Sequence, residues 1–318
     1  MSKRPIIDLR RVKTYDLASR WSKVDQTCLG RPWQSGGRLT DFLAGLPEVL
    51  AGAELRSVIK ALVEASRADR VILLGMGAHP IKVGLSLLII DLLERGLLSG
   101  LALNGAGIIH DSEMAMIGQT SEEVADEIKT GRFGMARQTG ELINQAVSRG
   151  AAEGLGLGWS VGRWLAESDF DHLDLSIIAA AYRAKIPVTV HVAVGTDIIH
   201  MHPSFDPAAT GLGSHRDFLT LAGLVAQLEG GVYLNLGSTV ILPEVFLKAL
   251  TLARNLGHEV THITTVDLDF IRHYRPLTNV VHRPTASGGR GVSLTGHHEL
   301  LFPLLAAGWL EGLEAEDG

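Results

Sequence analysis

The stretch Val71-Ile72-Leu73-Leu74-Gly75-Met76-Gly77-Ala78-His79 decides the reading of the fold. Four branched apolar residues run straight into a glycine turn. A helical pattern follows from Ile81 to Glu94, closed by Gly96. A short apolar run without polar alternation is how a strand buried on both faces reads. Strand, glycine turn and helix in that order form the start of a βαβ unit. The same ending recurs three times. Leu101 to Leu103 closes on Asn104-Gly105-Ala106-Gly107, with His110-Asp111 beyond. Pro187 to Ala193 closes on Gly195-Thr196-Asp197, then His200-Met201-His202. Val232 to Leu236 closes on Gly237-Ser238-Thr239.

In an open parallel sheet, the carboxyl ends of the strands form the ligand crevice. One pocket is therefore expected to gather several glycine backbones with His79, His110, Asp111, Asp197, His200 and His202. The predicted fold is α/β, a doubly wound parallel sheet with helices on both faces. An N-terminal arm (1–40) precedes one large domain (41–318). The arm, with Trp21, Trp33 and the loop residues 31–37, packs on a neighbouring subunit or folds onto its own domain.

Elsewhere the pattern predicts helices over 53–66, 137–149, 217–229 and 243–255, and a strand over 260–266. Thr120 and Glu123 read as a capping box for a helix over 121–129. Asp174 reads as the cap of a helix reaching Lys185. The segments 150–162, with five glycines, and 203–215 read as loops. Gly288-Gly289-Arg290-Gly291 reads as a mobile loop, 300–313 as a final amphipathic helix and 314–318 as an acidic tail.

Composition bounds the function. With 318 residues, 46% hydrophobic and 36 of them glycine, the chain can bury a full core. A net charge of -6 and a pI near 6.1 argue against nucleic acid and acidic membranes as partners. The single cysteine, Cys28, rules out an internal disulfide framework and fits a reducing compartment. The first residues carry no long apolar run of the signal-peptide kind. The longest apolar run, Leu85 to Leu93, is broken by Ser86 and Asp91. It falls short of the roughly 20 residues that span a bilayer. A cytoplasmic protein is expected.

The turns after the strands can bring backbone N–H groups to a phosphate. No Gly-x-Gly-x-x-Gly is present, and glycine also serves simply to turn a strand tightly into a helix. The 13 histidines suggest either acid–base work or a divalent metal such as zinc, held by some of His79, His110, Asp111, His200 and His202. The spacing matches no recognised zinc pattern. Asp267 and Asp269 could act as an acid–base pair or form a turn. No Gly-x-Ser-x-Gly elbow supports a serine nucleophile.

Several of these stretches together resemble the deoxyhypusine synthase family. Val12-Lys13-Thr14-Tyr15-Asp16 is similar to its V-K-G-Y-D opening. Leu73-Leu74-Gly75 onward is similar to its first strand and turn. Asn104 to Asp111 stands where the family has T-T-A-G-G-V-E-E-D, and Gly195 to His202 is similar to L-G-D-M-I-F-F-H. Leu236-Gly237-Ser238 resembles L-G-G-G, and Leu301-Phe302-Pro303-Leu304-Leu305 the terminal V-F-P-L-L. The resemblance runs in order over nearly the whole chain. It implies a Rossmann-like NAD-binding domain, a homotetramer with sites between subunits, and NAD-dependent oxidation of a polyamine with transfer through a lysine imine.

On that resemblance, NAD is expected against Gly75, Gly77, His79, Asn104, Gly105, Ala106, Gly107, Gly237, Ser238 and Thr265. A cationic substrate is expected on Asp197, Glu244 and Asp269, with His110, His202, Asp197 and Arg290 in catalysis. The chain also departs from the family. His79 replaces an Asn and His110 a Glu, and Pro243-Glu244 stand where the family has K-H-H. After Arg283-Pro284, Arg290 stands nearest to the catalytic lysine, and a guanidinium forms no Schiff base. The expectation is a transferase-like enzyme with altered chemistry on a polyamine or other small amine. A metal-dependent enzyme in the same crevice and a non-catalytic ligand-binding homologue are the alternatives.

Overall fold

The computed structural model describes residues 5–314. The tail at 315–318 and the first four residues of the arm lie outside the described residues. Six strands form one wholly parallel sheet: β1 (Ile72–Met76), β2 (Gly100–Asn104), β3 (Val188–His191), β4 (Val232–Leu236), β5 (Thr264–Asp269) and β6 (Arg290–Thr295). Their order is β3-β2-β1-β4-β5-β6. This is the doubly wound Rossmann-like order, and it reverses direction between β1 and β4. The crevice therefore lies over the carboxyl ends of those two strands.

The helices are α1 (Leu39–Gly45), α2 (Leu50–Arg67), α3 (His79–Lys82), α4 (Ser86–Glu94), α5 (Gly105–Ile117), α6 (Val124–Glu127) and α7 (Arg137–Ala152). Then follow α8 (Leu157–Ala166), α9 (Ile177–Arg183), α10 (Pro207–Val225), α11 (Ile241–Asn255), α12 (Tyr274–Pro276) and α13 (His298–Glu314). Strand alternation divides the apolar residues between two cores. Ile72, Leu74, Met76, Val232, Leu234 and Leu236 face one side, with Leu62, Ile89, Phe302 and Trp309. Leu73, Ala102 and Tyr233 face the other, with Val225, Phe246 and Leu250. Tyr233 and Phe246 stack with ring centroids 3.8 Å apart.

Several local expectations need correction. The helix expected from Ile81 is broken into α3 and α4 by Gly84, whose φ of 81° is left-handed. Ser176, not Asp174, caps α9. The segment 150–162 carries α8 and the end of α7, because Gly150 and Gly158 let helices close on Ser160 and on the Val188 carbonyl. Residues 207–215 begin α10, capped by Asp206 with Pro207 in its first turn. The strand expected over 260–266 begins later, at Thr264, and Arg290 opens the edge strand β6 instead of sitting in a mobile loop.

Over residues 5–27 the arm is exposed throughout. From residue 5 it makes three short turns, capped by Asp8, Asp16 and Asp25, with Ile6 93% and Trp21 80% exposed. It joins the domain only towards its end, where Arg31 N–H donates to Gly45 O and Trp33 meets Phe42 edge-on. Among the described residues no helix is long and apolar enough to cross a membrane.

Candidate active site at the carboxyl edge of the sheet

At the switch point, two glycine turns are pressed together. Gly77 N–H donates to Leu236 O at 3.0 Å, and a methyl on Gly77 would strike the Gly237 carbonyl. Gly237, at φ 64°, lies beneath the His298 ring. His298 is the first residue of α13 and is 1% exposed, and neither of its ring nitrogens has a hydrogen-bond partner. Its Nε2 lies 3.6 Å from Asp269 Oδ1, and burial pulls its pKa down. His79 and Phe270 complete the group, with ring centroids 5.4 and 5.7 Å from His298.

The second half of the crevice is a cavity of about 240 Å³ over the ends of β2 and β3. Its walls include Lys82, Ala106, His110, Glu113, Glu122 and Asp197. Asn104 Oδ1 caps α5 by accepting from Gly107 N at 3.0 Å. That brings the first turn of α5 under the Asp197 carboxylate. A methyl on Gly105 would sit 2.6 Å from Asp197 Cγ, so only glycine fits.

Asp197 has an 8% exposed side chain, and its Oδ2 has no hydrogen-bond partner. Burial raises its pKa to about 6, against a smaller lowering from the Thr196 hydroxyl. His200, 3% exposed at its side chain, uses Nδ1 to accept from Gly195 N and Asp197 N. Its Nε2 must therefore carry the proton. That N–H also has no partner and stands 3.9 Å from Asp197 Oδ2. Two buried groups of opposite hydrogen-bonding sense thus face one another without touching.

His110 is held at Nδ1 by the Thr120 hydroxyl, 2.6 Å away. Thr120 in turn donates to Glu113 Oε2 at 2.6 Å, and Thr139 donates to Glu113 Oε1 at 3.0 Å. Burial, and secondly the charge of Lys82, lower the His110 pKa to about 4, so the ring is neutral at neutral pH. The capping box expected at Thr120 and Glu123 is absent. Thr120 is engaged with Glu113 and His110, and the short α6 is capped by Glu123.

The crevice brings together His79, Gly77, Gly237, Ser238 and Asp269 on one side, and His110, Asn104, Gly105, Ala106 and Asp197 on the other. Other expected residues lie elsewhere or are already engaged. His202 is buried against Gly140 and bonds the Gly134 carbonyl through Nε2 at 2.8 Å, so it is no general base. Asp111 is wholly buried and accepts from Ser176 Oγ, Ile177 N and Ile178 N, holding the start of α9. Arg290 begins β6 at the amino edge of the sheet, the opposite end from the crevice.

Thr265 is buried near the start of β5 and donates to Val280 O. Gly75 lies inside β1 against the Tyr233 hydroxyl, and the Gly107 N–H is taken by Asn104, so neither is free for a phosphate. Glu244 is neutralised by Lys248 and Arg275 and accepts from Asn279, which leaves no charge for a cationic substrate. The set His79, His110, Asp111, His200 and His202 does not converge. Among the described residues no group of three or more His, Cys, Asp or Glu could hold a metal ion.

Several residues of the site were not picked out from sequence, Phe270, Glu113, Glu122 and Lys82 among them. Glu113 lies three positions after His110 on α5 and so shares its face. Lys82 lies three after His79 in the turn that follows β1.

No protein-family model matches the chain, and no curated protein matches it in sequence. Solved structures do match. ArgZ, an arginine dihydrolase from the ornithine–ammonia cycle in cyanobacteria, superposes over 83% of this chain with a TM-score of 0.52 and 15% identity. AgrE, in ternary complex with ornithine and NAD+, covers 83% with a TM-score of 0.53 and 15% identity. A conserved LOR/SDH protein from Methanococcus maripaludis S2 covers 83%, with a TM-score of 0.53 and 14% identity. The chain spans about one third of the length of ArgZ and AgrE and 71% of the Methanococcus protein. A deoxyhypusine synthase from Entamoeba histolytica, assigned as such provisionally, aligns over 91% of this chain at 11% identity and a TM-score of 0.45. At these identities the fold is what is shared: a Rossmann-like fold that an NAD+ complex also uses.

Proposed function

We propose that the chain is an NAD-using enzyme that oxidises a small amine held at the β2–β3 end of the crevice. The observation that carries this reading is Asp197, which lines a cavity of about 240 Å³ and whose buried Oδ2 lacks a hydrogen-bond partner. A buried acceptor is rarely left unpaired unless something else is to fill it. A primary ammonium supplies several donors and a charge opposite to that of Asp197. The cavity holds the volume of about eight waters, which suits a compact amine or one end of a longer one. Lys82 at the rim is placed to meet an anionic group on the same substrate.

The residues at the switch point fit the cofactor. Both ring nitrogens of His298 are buried without partners beside Gly237, and His79, Ser238 and Gly237 would hold the dinucleotide with it. When bound, NAD supplies the hydride acceptor. The chain's own groups do the rest. Asp197 binds and orients the ammonium, and His110 presents an acceptor for the proton the nitrogen loses. The solved NAD+ and ornithine complex of AgrE, on a shared fold, supports this reading. Transfer through a lysine imine at the position of Arg290 is not part of it, since that residue stands at the other edge of the sheet. We also take the exposed arm as the contact that joins copies of the chain into a homo-oligomer.

Spectroscopic titration with NAD+, followed by NADH formation with a panel of primary amines, tests the reading. Amine-dependent NADH formation that is lost in Asp197→Asn supports it. No NAD binding at millimolar concentration, or binding without turnover on any amine, overturns it.

A further inference from the structure

We infer that Glu113 and Thr120 form a relay that fixes the tautomer of His110, so that its bare Nε2 faces the cavity. The inference rests on the proposed function for its chemical purpose but not for its geometry. Proton counting sets the direction of the relay. Thr120 Oγ1 lies 2.6 Å from both Glu113 Oε2 and His110 Nδ1. A hydroxyl has a single proton to give, and Thr120 gives its own to Glu113 Oε2. If Thr120 gave its proton to His110, two acceptor oxygens would face each other at 2.6 Å. The alternative is consistent throughout: Thr120 donates to Glu113, and His110 Nδ1–H donates to Thr120.

The rest of the site is built to hold this arrangement. Thr139, 4% exposed, donates to the other Glu113 oxygen at 3.0 Å, which prevents the carboxylate from turning. The side chains of His110 and Glu113 are only 18% and 13% exposed. Ser121, next to Thr120, has a φ of 74°, a left-handed conformation that L residues adopt at a cost and keep only where their surroundings impose it. The strained turn aims Thr120 inward instead of letting it cap a helix.

The consequence for substrate is specific. His110, Thr120 and Glu113 donate hydrogen bonds in one direction, from the ring through the hydroxyl to the carboxylate. His110, which lines the cavity, is left with Nε2 as an acceptor for the bound molecule. The group that meets His110 must therefore carry an N–H or O–H donor. Glu113 and Thr120 act as positioning residues, because their effect passes through the His110 ring.

The test reads the tautomer directly. Nitrogen NMR of the isotopically labelled full-length protein, with the His110 signals assigned by their disappearance in His110→Gln, shows which ring nitrogen is protonated. The wild type is expected to carry the proton on Nδ1 at neutral pH. Thr120→Val should mix the tautomers and shift the pH profile, with kcat/KM lowered roughly 10- to 100-fold, up to the lower end of the range that a positioned base contributes. Thr120→Ser, which keeps the hydroxyl, should restore both, as a purely packing role would not require. A proton on Nε2 in the wild type, or an unchanged tautomer in Thr120→Val, overturns the relay. If Thr120→Val does not fold, the wild-type tautomer and Glu113→Gln decide. The tautomer is measured without NAD or amine. A correct tautomer with no amine oxidation leaves the relay standing and sinks the proposed function, and the reverse result sinks the relay alone.

Discussion

Asp197→Asn should stabilise the fold while removing the amine site. Burial raises the Asp197 pKa from 3.8 to about 6. A group whose folded pKa lies above its unfolded value favours the folded state at low pH. That contribution is full below about pH 4 and is lost as pH rises through 6. Each tenfold change in proton affinity is worth about 1.36 kcal/mol, so the raised pKa costs the ionised form about 3 kcal/mol. Asn does not ionise, so at pH 8 the variant escapes this cost. It also gives up little hydrogen bonding, because Oδ2 has no partner in the wild type. Urea unfolding should show Asp197→Asn more stable by about 2–3 kcal/mol at pH 8. The gap should shrink to about half that near pH 5 and close towards pH 4. A variant less stable than wild type at pH 8, or a difference that does not narrow with falling pH, would show that burial of the ionised carboxylate is not the cause.

Other substitutions separate site from scaffold. Gly105→Ala places a methyl 2.6 Å from Asp197 Cγ; circular dichroism should show a folded protein, whereas calorimetry should show amine affinity reduced at least tenfold, and unaltered affinity would contradict the site's geometry. Asp111→Ala removes the acceptor for three buried donors; a loss of about 3 kcal/mol or more is expected in urea unfolding, and a loss below about 1 kcal/mol would rule out its structural role. Arg290→Ala, at the exposed amino edge, should change stability by no more than about 0.5 kcal/mol and leave NAD affinity and turnover as in wild type. Light scattering should give a particle heavier than the 34.1 kDa chain, and removal of residues 5–33 should return it to monomer; a full-length monomer would sink the oligomer.

The fold was legible where burial is two-sided. β1 to β4 announce themselves as apolar runs that stop at polar or glycine-rich turns, because a parallel strand covered on both faces has no polar register to keep. β6 was hidden for the opposite reason. It is an edge strand, with Arg290 exposed and only Val292 and Leu294 buried, and its leading glycines read as loop. The glycines of α7 and α8 misled in the same way. Their use is to let a helix approach Ser160 or the Val188 carbonyl, a tertiary demand with no local signature.

The site divides similarly. Asp197, His110, Gly105 and Gly237 follow from their places after strands. That Asp111 accepts from the first N–H groups of α9 and His202 binds a carbonyl 68 positions away in sequence depends on which segments meet, which spacing does not encode. The Glu113–Thr120–His110 chain shows the same limit. Its helical half follows from an i, i+3 pair, while its hydroxyl arrives from a turn whose residues locally spell a helix cap.

One crevice that holds NAD at the β1–β4 switch point and an amine on Asp197 should be visible in crystals grown with NAD+ and a non-oxidisable amine analogue. Dinucleotide density is expected beside His298 and Gly237, with the amine nitrogen within hydrogen-bond distance of Asp197 Oδ2. Dinucleotide bound away from the carboxyl edge of the sheet, or an amine bound with Asp197 still unpaired, would contradict the shared site.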